Sequence, residues 1–238
     1  MVCGTGNAEP AAAELTWALI LAFNRHIVRE ATALASGGPW QSSVGHDLAH
    51  KRLGIIGLGR LGSKVARVGL ALDMEVQAWS HNLTIERCSE VGATWAPDLE
   101  HLLATSDIVS IHLVLSDRTR GLLGEQELRL MKPTALLVNT SRAPIVDEPA
   151  LVRALEQGRI GGAALDVFQT EPLPPHHPFR RLPNVLATPH IGYVTEETYR
   201  IFFRDVVENI SSFLNGDPLR RISLQHPAQQ AGPSSFKS

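Results

Sequence analysis

The chain has few cysteines, no excess of positive charge and no long apolar run, and each deficit excludes a class of protein. Its 238 residues include only Cys3 and Cys88, which are too few for a disulfide framework and lack the paired spacing of a zinc site. A formal net charge of -2 leaves no basic surface for nucleic acid or an anionic membrane. The most apolar run, Leu15 to Phe23, is far shorter than the roughly 20 residues that span a bilayer. We therefore expect a globular cytoplasmic protein that binds neither nucleic acid nor membrane.

A long N-terminal helix is predicted from Ala11 to about Ala35. This stretch is rich in Ala and Leu and contains neither Gly nor Pro, and Gly37 ends it. The apolar side chains between Leu15 and Phe23 are spread around most of the helix circumference, so one face cannot bury them all. A second covering surface is needed, and we expect a homodimer.

Short apolar runs then alternate with amphipathic helical segments. The predicted strands cover residues 53–56, 75–79, 108–113, 135–138, 162–167 and 185–187. This alternation is typical of βαβ units and therefore of a parallel sheet. A one-faced helix beginning near Thr195 follows, and the Gln, Pro, Ser and Gly content of residues 223–238 predicts a disordered tail.

The first predicted strand runs into a glycine-rich turn that opens a helix, Gly57-Leu58-Gly59-Arg60-Leu61-Gly62. In such a turn Gly57 permits the tight bend, Gly59 lets the backbone approach a diphosphate, and Gly62 allows the helix to pack closely on the strand. The helix N-terminus then attracts the phosphates. A strand before the turn and a helix after it favour a dinucleotide site over a purely structural turn. The sequence thus predicts an α/β fold, a Rossmann-type doubly wound parallel sheet, with residues 1–192 as the dinucleotide-binding domain.

The choice between NAD and NADP depends on the end of the second strand. An acidic residue about 20 positions after the glycine turn usually holds the adenosine ribose, but Ser80-His81-Asn82 stand there instead. No negative charge would repel a 2′-phosphate, and Ser80 and His81 can donate hydrogen bonds to it, whereas no Arg at these positions would clamp it. The sequence leaves both cofactors open.

Polar residues stand directly after several predicted strands, where ligands bind in open α/β sheets. They are His112, Thr140-Ser141-Arg142, Asp166 with Glu171, and His190. Each of them alone is better explained by an ordinary surface, core or loop position. Together with the segments GLGRLG at 57, NTSRAPIVDEPAL at 139, GAALDVFQTEPLP at 162 and NVLATPHIGY at 184, they resemble the D-isomer-specific 2-hydroxyacid dehydrogenase family.

The resemblance implies an oxidoreductase that transfers a hydride between NAD(P) and a small 2-hydroxy or 2-keto acid, of the hydroxypyruvate, glyoxylate or phosphoglycerate class. It implies three catalytic residues: His190 as the proton donor and acceptor, Glu171 as the group that orients its ring, and Arg142 as the substrate carboxylate's partner. Asp166 is implied to hold the nicotinamide carboxamide. The residues expected along the cofactor, from the glycine turn and the resemblance together, are Gly57, Gly59, Arg60, Leu61, Gly62, Ser80, His112, Leu113, Thr140, Ser141, Arg142, Asp166, His190 and Gly192.

The chain also departs from the family. Relatives carry roughly 100 further residues upstream, a domain's worth, which form most of the substrate domain, so most of that second domain is missing here. Residues 193–222 are the helical segment that would belong to it. The missing part of the substrate domain motivates an alternative function, that of a catalytically silent NAD(P)-binding regulatory or remnant protein of the same family.

Five further positions carry smaller expectations. Ala143 and His50 stand where the family often has Gly, and a positive φ at Ala143 would cost about 1 kcal/mol and could tilt Arg142. His46 and His50 have the spacing of a metal pair, and His176 and His177 are adjacent, but no third ligand is apparent. No metal site is expected.

Overall fold

The computed structural model describes residues 2–6 and 10–222. These residues belong to two separate structural units: residues 10–193, and residues 2–6 with 194–222. The helices are α1 (Ala11–Asn24), α2 (Ile27–Ala35), α3 (Arg60–Ala71), α4 (Ile85–Val91), α5 (Leu99–Thr105), α6 (Glu125–Leu130), α7 (Glu148–Glu156) and α8 (Glu196–Leu214). The strands are β1 (Arg52–Ile56), β2 (Glu75–Trp79), β3 (Thr94–Trp95), β4 (Ile108–Ile111), β5 (Leu136–Asn139), β6 (Gly162–Leu165) and β7 (Val185–Ala187).

The larger unit is built on one parallel sheet of seven strands in the order β3-β2-β1-β4-β5-β6-β7. This confirms the predicted Rossmann-type fold, because the strand order reverses between β1 and β4 as in doubly wound sheets. Ile56 at the end of β1 pairs in register with Ile111 at the end of β4. The carboxyl ends of these two strands therefore lie side by side at the switch point of the sheet.

Both faces of the sheet are covered, and alternate residues along a strand pack into the hydrophobic cores on opposite faces. Leu53 and Ile55 belong to a buried cluster that includes Trp17 of α1 and Val65 of α3. Ile56 belongs to the other cluster, together with side chains of α5, α6 and α7. The small strand β3 was not predicted, because its two residues are both exposed and carry no apolar pattern.

The predicted long N-terminal helix is two helices, and the expectation of one continuous helix was wrong. The helix is interrupted at His26, which has a left-handed φ of 51°. The carbonyl of Asn24 accepts a hydrogen bond from His46 N at 2.8 Å, and the side chain of Asn24 donates back to Ile20 O at 2.8 Å. These bonds replace the helical ladder at this point, so the helix ends without Gly or Pro.

Most apolar residues of α1 are buried by other parts of the same chain. Trp17, Leu19 and Ile20 are buried, and Trp17 Nε1 donates to Val65 O of α3 at 3.2 Å. Leu21 remains 40% exposed. The apolar circumference of α1 is thus explained largely by packing against the sheet and α3, and by itself it does not call for a second subunit.

Helix α2 has no buried residue. The exposed apolar side chains of α2 and of the segment after it are Ile27, Val28, Leu34, Trp40 and Val44, with exposed fractions of 51%, 54%, 62%, 78% and 87%. We call this set the α2 face. This face differs from the α1 residues that prompted the expectation of a dimer.

Residues 2–6 lie in the smaller unit, whereas the sequence grouped them with the dinucleotide-binding domain. Gly4 N donates to Arg220 O at 2.9 Å and Ile222 N donates to Val2 O at 2.8 Å, so the two ends pair as short antiparallel segments. The predicted helix near Thr195 is α8, capped by Thr195 Oγ1, which accepts from Thr198 N at 3.2 Å. Much of its apolar face is exposed, with Phe203 at 71%. The predicted disordered tail at 223–238 lies outside the described residues.

No helix among the described residues is both long enough and apolar enough to cross a membrane.

Candidate active site

The glycine turn has the geometry that a dinucleotide requires. Gly57 has φ +100°, and a Cβ there would lie 2.7 Å from His112 O; a Cβ on Gly62 would lie 2.0 Å from Gly57 O. A Cβ on Gly59, in contrast, would meet nothing within 4 Å. Gly57 and Gly62 therefore serve the protein's own packing, while Gly59 borders open space in front of the first turn of α3, where backbone N–H groups can receive a diphosphate. The residues present fit NAD or NADP.

The end of β2 lies beside this turn, because Gly57 N donates to Trp79 O at 2.9 Å. Ser80 follows directly and is half-buried, and the ring of His81 stands edge-on to Trp79 with centroids 5.0 Å apart. Sequence reasoning missed one neighbour, Arg87 of α4, whose Nη2 donates to Ser63 Oγ of α3 at 2.9 Å. Arg87 lies seven positions beyond Ser80, and nothing in the linear pattern indicates that its side chain reaches α3.

His112 lies after β4, on the opposite side of the glycine turn from β2. Its Nε2 lies 2.8 Å from Ser110 Oγ. Burial lowers the pKa of His112 to about 4, so its imidazole is neutral at physiological pH. His112 can therefore take part in hydrogen bonds at this edge but adds no positive charge.

The turn after β5 is organised by its own side chains. Asn139 Nδ2 donates to Arg142 O at 3.0 Å, Asn139 Oδ1 accepts from Ser141 N at 3.0 Å, and Ser141 Oγ donates to Ile111 O at 2.7 Å. Thr140 Oγ1 lies 2.8 Å from Thr16 Oγ1, which ties the turn to α1. The exposed guanidinium of Arg142 is thus carried on a fixed backbone.

Ala143 is not strained. It begins a 3-10 helix, Ala143–Ile145, and is not among the described residues with positive φ. The condition for a tilt of Arg142, a positive φ at Ala143, is therefore not met. Of the two positions at which the family often has Gly, His50 is the strained one, with φ 64°.

Asp166 follows β6 and is 1% exposed. Its Oδ1 accepts from Thr188 Oγ1 at 2.6 Å and from Ile191 N at 2.9 Å, and its Oδ2 accepts from Gly192 N at 2.8 Å. The carboxylate is therefore engaged with the turn after β7. Thr188 was not among the predicted site residues, although it stands directly after a strand and two positions before His190.

His190 and Glu171 form a hydrogen-bonded pair, with His190 Nδ1 2.7 Å from Glu171 Oε2. The second carboxylate oxygen of Glu171 accepts from Phe168 N at 3.0 Å. Burial raises the pKa of Glu171, but the hydrogen bonds from His190 and Phe168 N and the charges of His190 and Arg142 outweigh it and leave the pKa below its usual value. An ionised carboxylate only accepts, so Nδ1 of His190 carries a proton, and Nε2 is the ring nitrogen that does not contact Glu171.

His190 is held in a left-handed conformation with φ 54°. Such a backbone costs an L-residue about 1–2 kcal/mol, and it persists only where the surroundings determine it. Its ring stands edge-on to Tyr193 with centroids 5.6 Å apart. A cavity of about 820 Å³ opens beside the pair, lined by Glu171, His190 and apolar side chains that include Leu173 and Phe179.

The predicted site residues all lie at the carboxyl edge of the sheet, in the turns after β1, β2, β4, β5, β6 and β7 and in the first turn of α3. The contacts join them in three groups: the glycine turn with His112, Glu171 with His190 and the charge of Arg142, and Asp166 with Gly192. The adjacent histidines have other contacts: His177 pairs with Glu148 at 3.1 Å and His176 with Arg181 at 3.3 Å. Within the described residues no group of three or more His, Cys, Asp or Glu side chains could hold a metal ion.

Comparison with known proteins places this architecture among characterised families. Residues 17–192 match the family model described as D-isomer specific 2-hydroxyacid dehydrogenase, NAD binding domain. The chain is 46% identical over 220 residues to a glyoxylate reductase of Aeropyrum pernix, an alignment that covers 89% of this chain and 65% of that protein. It is 39% identical over 212 residues to a glyoxylate/hydroxypyruvate reductase B of Erwinia tasmaniensis, with 86% and 65% covered.

A solved structure of a phosphoglycerate oxidoreductase from Vibrio cholerae superposes with a TM-score of 0.84 at 38% identity, covering 88% of this chain and 68% of that one. The chain thus spans somewhat less than two thirds of the length of the reductases that it matches.

Proposed function

Because the chain belongs to the D-isomer specific 2-hydroxyacid dehydrogenase family, whose NAD binding domain it carries over residues 17–192, we propose that it transfers a hydride between NAD(P) and a small 2-hydroxy or 2-keto acid. The observation that carries this proposal is the His190–Glu171 pair, 2.7 Å apart, with the guanidinium of Arg142 close enough to act on Glu171. A base, its orienting carboxylate and a carboxylate-binding cation are the groups that this reaction needs.

In the direction of reduction, Nε2 of a protonated His190 gives its proton to the C2 oxygen of the keto acid. The bound nicotinamide supplies the hydride that arrives at C2. Glu171 stabilises the imidazolium before the transfer and holds the ring in one tautomer after it. In oxidation, neutral His190 removes the hydroxyl proton.

Arg142 is suited to the substrate's carboxylate. Guanidinium groups bind carboxylates through two parallel hydrogen bonds, which fixes the orientation of the acid as well as its position. The turn bonds of Asn139 and Ser141 hold the backbone of Arg142, its Nη1 donates to Ser141 O at 2.7 Å, and the side chain as a whole is exposed. We propose that Arg142 orients C2 between His190 and the nicotinamide.

Along the cofactor we propose Gly57, Gly59, Arg60, Leu61 and Gly62 at the diphosphate, and Ser80 at the adenosine ribose. On the nicotinamide side the proposed residues are His112, Leu113, Thr140, Ser141, Arg142, Asp166, His190 and Gly192. The openness of the backbone at Gly59 supports the first group. The position of the others at the carboxyl edge of the same sheet supports the second.

For the substrate we propose the glyoxylate and hydroxypyruvate class. The reductases of Aeropyrum pernix and Erwinia tasmaniensis carry these names, and both are at least 39% identical to this chain. A catalytically silent NAD(P)-binding protein is the weaker candidate, because the three residues implied for catalysis are present and two of them are already hydrogen-bonded to each other.

The test is the reduction of glyoxylate and of hydroxypyruvate by the purified chain with NADH and with NADPH, followed by loss of nucleotide absorbance. His190→Ala should lower kcat by about 10²–10⁴-fold, the usual contribution of a general acid, and should leave nucleotide binding intact. His101→Ala is the matched control. His101 is exposed, lies on α5 and is distant in sequence from His190, so this variant should have the wild-type kcat. Equal rates for His190→Ala and wild type would remove His190 as catalyst; nucleotide binding with no turnover would favour the silent protein.

We further propose that two copies associate through the α2 face. Its five apolar side chains are more than half exposed, which is typical of an interface. Sedimentation at micromolar concentration should show a dimer that Val28→Glu dissociates. Ile85→Glu on α4, a control at 58% exposure against 54% for Val28, should leave the dimer intact. A wild-type monomer under these conditions would contradict the proposal.

Both cysteines of the chain are free thiols in the structure. Free thiols fit a reducing compartment, and we propose the cytoplasm.

A further inference from the structure

We propose that Glu148 and His177 are positioning residues for the hydride transfer: together they hold the segment between β6 and β7 in the shape that brings Glu171 to His190. This inference rests on the proposed function, since it assigns a task within the same site. The sequence gave no reason to expect a part in the reaction for either residue.

The segment that carries Glu171 has little regular structure to fix its shape. Between β6 and β7 the structure describes one short regular element, the 3-10 helix Pro178–Arg180. Two carboxylates bind consecutive amides at the start of the segment. Glu171 Oε1 accepts from Phe168 N at 3.0 Å, and Glu148 Oε2 accepts from Gln169 N at 3.1 Å. Glu148 is the first residue of α7, a helix that packs into the core through one face, so it anchors the segment to a rigid element.

His177 extends this anchor to the far end of the segment. Its Nε2 lies 3.1 Å from Glu148 Oε1, the second oxygen of the same carboxylate. Its Nδ1 accepts from Phe179 N at 3.3 Å, so the neutral ring carries its proton on Nε2 and donates it to Glu148. Both side chains are mostly buried, with 16% of His177 and 19% of Glu148 exposed. Water therefore compensates poorly for a broken bond between them.

Aromatic packing connects this anchor to the amide that binds Glu171. The ring of Phe179 lies 4.8 Å from that of His177 and 6.4 Å from that of Phe168, measured between centroids. Phe168 and Phe179 are both buried. A displacement of His177 would therefore be passed on to Phe168, whose N–H holds Glu171 within 2.7 Å of His190 Nδ1.

The two histidine–carboxylate pairs of this region differ in tautomer, and this gives a direct readout. His177 carries its proton on Nε2, whereas His190 carries it on Nδ1. Two-bond ¹H–¹⁵N spectra of the chain without nucleotide distinguish these forms and report on each pair separately. A Glu171 that has moved away from His190 no longer selects the Nδ1–H form, and this measurement needs no turnover.

Three variants test the link between Glu148 and His177. Glu148→Gln loses a bond in either orientation of its amide, because the NH₂ group then faces the N–H of Gln169 or of His177. A change of tautomer at His177 would only transfer the loss to Phe179 N. His177→Asn keeps an acceptor that can cap the 3-10 helix but is too short to reach Glu148. His177→Gln is the conservative variant, since its amide NH₂ group can replace Nε2–H as the donor to Glu148.

Glu125→Gln is the matched control. Glu125 is the first residue of α6, as Glu148 is of α7, but its partners are the exposed side chains of Arg129 and Arg153. The control thus makes the same chemical change at the same helix position without touching the segment that carries Glu171.

We expect His190 to be protonated at Nδ1 in wild type, His177→Gln and Glu125→Gln, and to lose this preference in Glu148→Gln and His177→Asn. In the last two variants kcat for glyoxylate should fall by about 10- to 100-fold, because a misplacement of about 1 Å can cost roughly 10² in rate. Their affinity for NADH should stay within about twofold of wild type, since the glycine turn lies on other elements.

Two results would overturn the inference. One is a His190 that remains protonated at Nδ1 in both Glu148→Gln and His177→Asn. The other is an equal loss of the Nδ1–H form in His177→Gln and His177→Asn, which would show that the bond to Glu148 is not what matters. Should one variant of the first pair not fold, the other decides. Nucleotide binding by wild type without turnover would remove the proposed function, whereas the tautomer of His190 would still show whether Glu148 and His177 position Glu171.

Discussion

Replacing Gly59 by alanine should separate the cofactor's need for glycine from the fold's need for it. Gly59 has φ −77° and ψ −158°, a conformation open to alanine, and its added Cβ would meet no protein atom within 4 Å. The substitution should therefore change the free energy of unfolding by less than about 1 kcal/mol, since a weaker helix cap is offset by a less flexible unfolded chain. The methyl group would instead occupy the space in which the diphosphate approaches α3.

The affinity for NADH should fall in this variant by at least about tenfold. Loss of one charge-assisted hydrogen bond between the diphosphate and the backbone costs about 1.5–3 kcal/mol, and 1.4 kcal/mol corresponds to about a factor of ten. Energy transfer from tryptophan to bound NADH measures this affinity directly. Thermal unfolding of the same samples measures stability.

Gly62→Ala is the matched comparison within the same turn. Its Cβ would lie 2.0 Å from Gly57 O, so α3 must move away from β1. Overpacking of this kind costs about 1–3 kcal/mol and helix propensity returns roughly 1 kcal/mol, so the net loss is up to about 2 kcal/mol and the melting temperature should fall by up to about 8 °C. The reasoning fails if Gly59→Ala binds NADH as tightly as wild type, or if it destabilises the protein as much as Gly62→Ala does.

Three further predictions follow from single positions. His81→Asp adds a negative charge at the end of β2 and should reduce the affinity for NADPH relative to NADH by about tenfold, because it repels a 2′-phosphate; an unchanged ratio in fluorescence titrations would place the ribose elsewhere. His50→Gly relieves a φ of 64° and should raise the free energy of unfolding in urea by about 0.5–1 kcal/mol, so a loss of stability would show that the left-handed backbone is not strained. Asp107→Asn should destabilise the protein by about 1–3 kcal/mol at pH 7 and by progressively less as the pH falls below 3.8. Burial raises the pKa of Asp107, but the hydrogen bonds from Arg52 N and Lys132 outweigh it and hold the pKa below 3.8, so the contribution of Asp107 is present above that value and lost as the pH falls through the folded value; a destabilisation that does not shrink as the pH falls would contradict this.

The sheet could be predicted because parallel strands leave a strong pattern. Runs such as Leu53 to Ile56 are buried on both faces, so they read as continuous apolar segments between helical ones. The glycine turn could be predicted equally well, because a Cβ on Gly57 or Gly62 would clash with neighbouring backbone atoms and only glycine fits at these positions. Strand β3 could not be found this way, because two exposed residues carry no periodicity.

The features that escaped prediction depend on contacts between distant parts of the chain. The break after Asn24 is made by His46, and the guanidinium of Arg87 reaches Ser63 of another helix. Polar residues at strand ends indicated that a site exists and where it lies. They did not indicate which of those residues bind each other, as Asp166 and the turn at Gly192 do.

The two outer strands of the sheet are unusually brief, and this has a consequence for association between copies. Strand β7 has three residues and lies between Pro183 and Pro189, and β3 has two residues and is followed by Pro97. Proline has no amide hydrogen to donate to an added strand. Neither edge strand can therefore form a long series of backbone hydrogen bonds with a strand of another copy. We therefore expect copies of the protein to have little tendency to polymerise edge to edge.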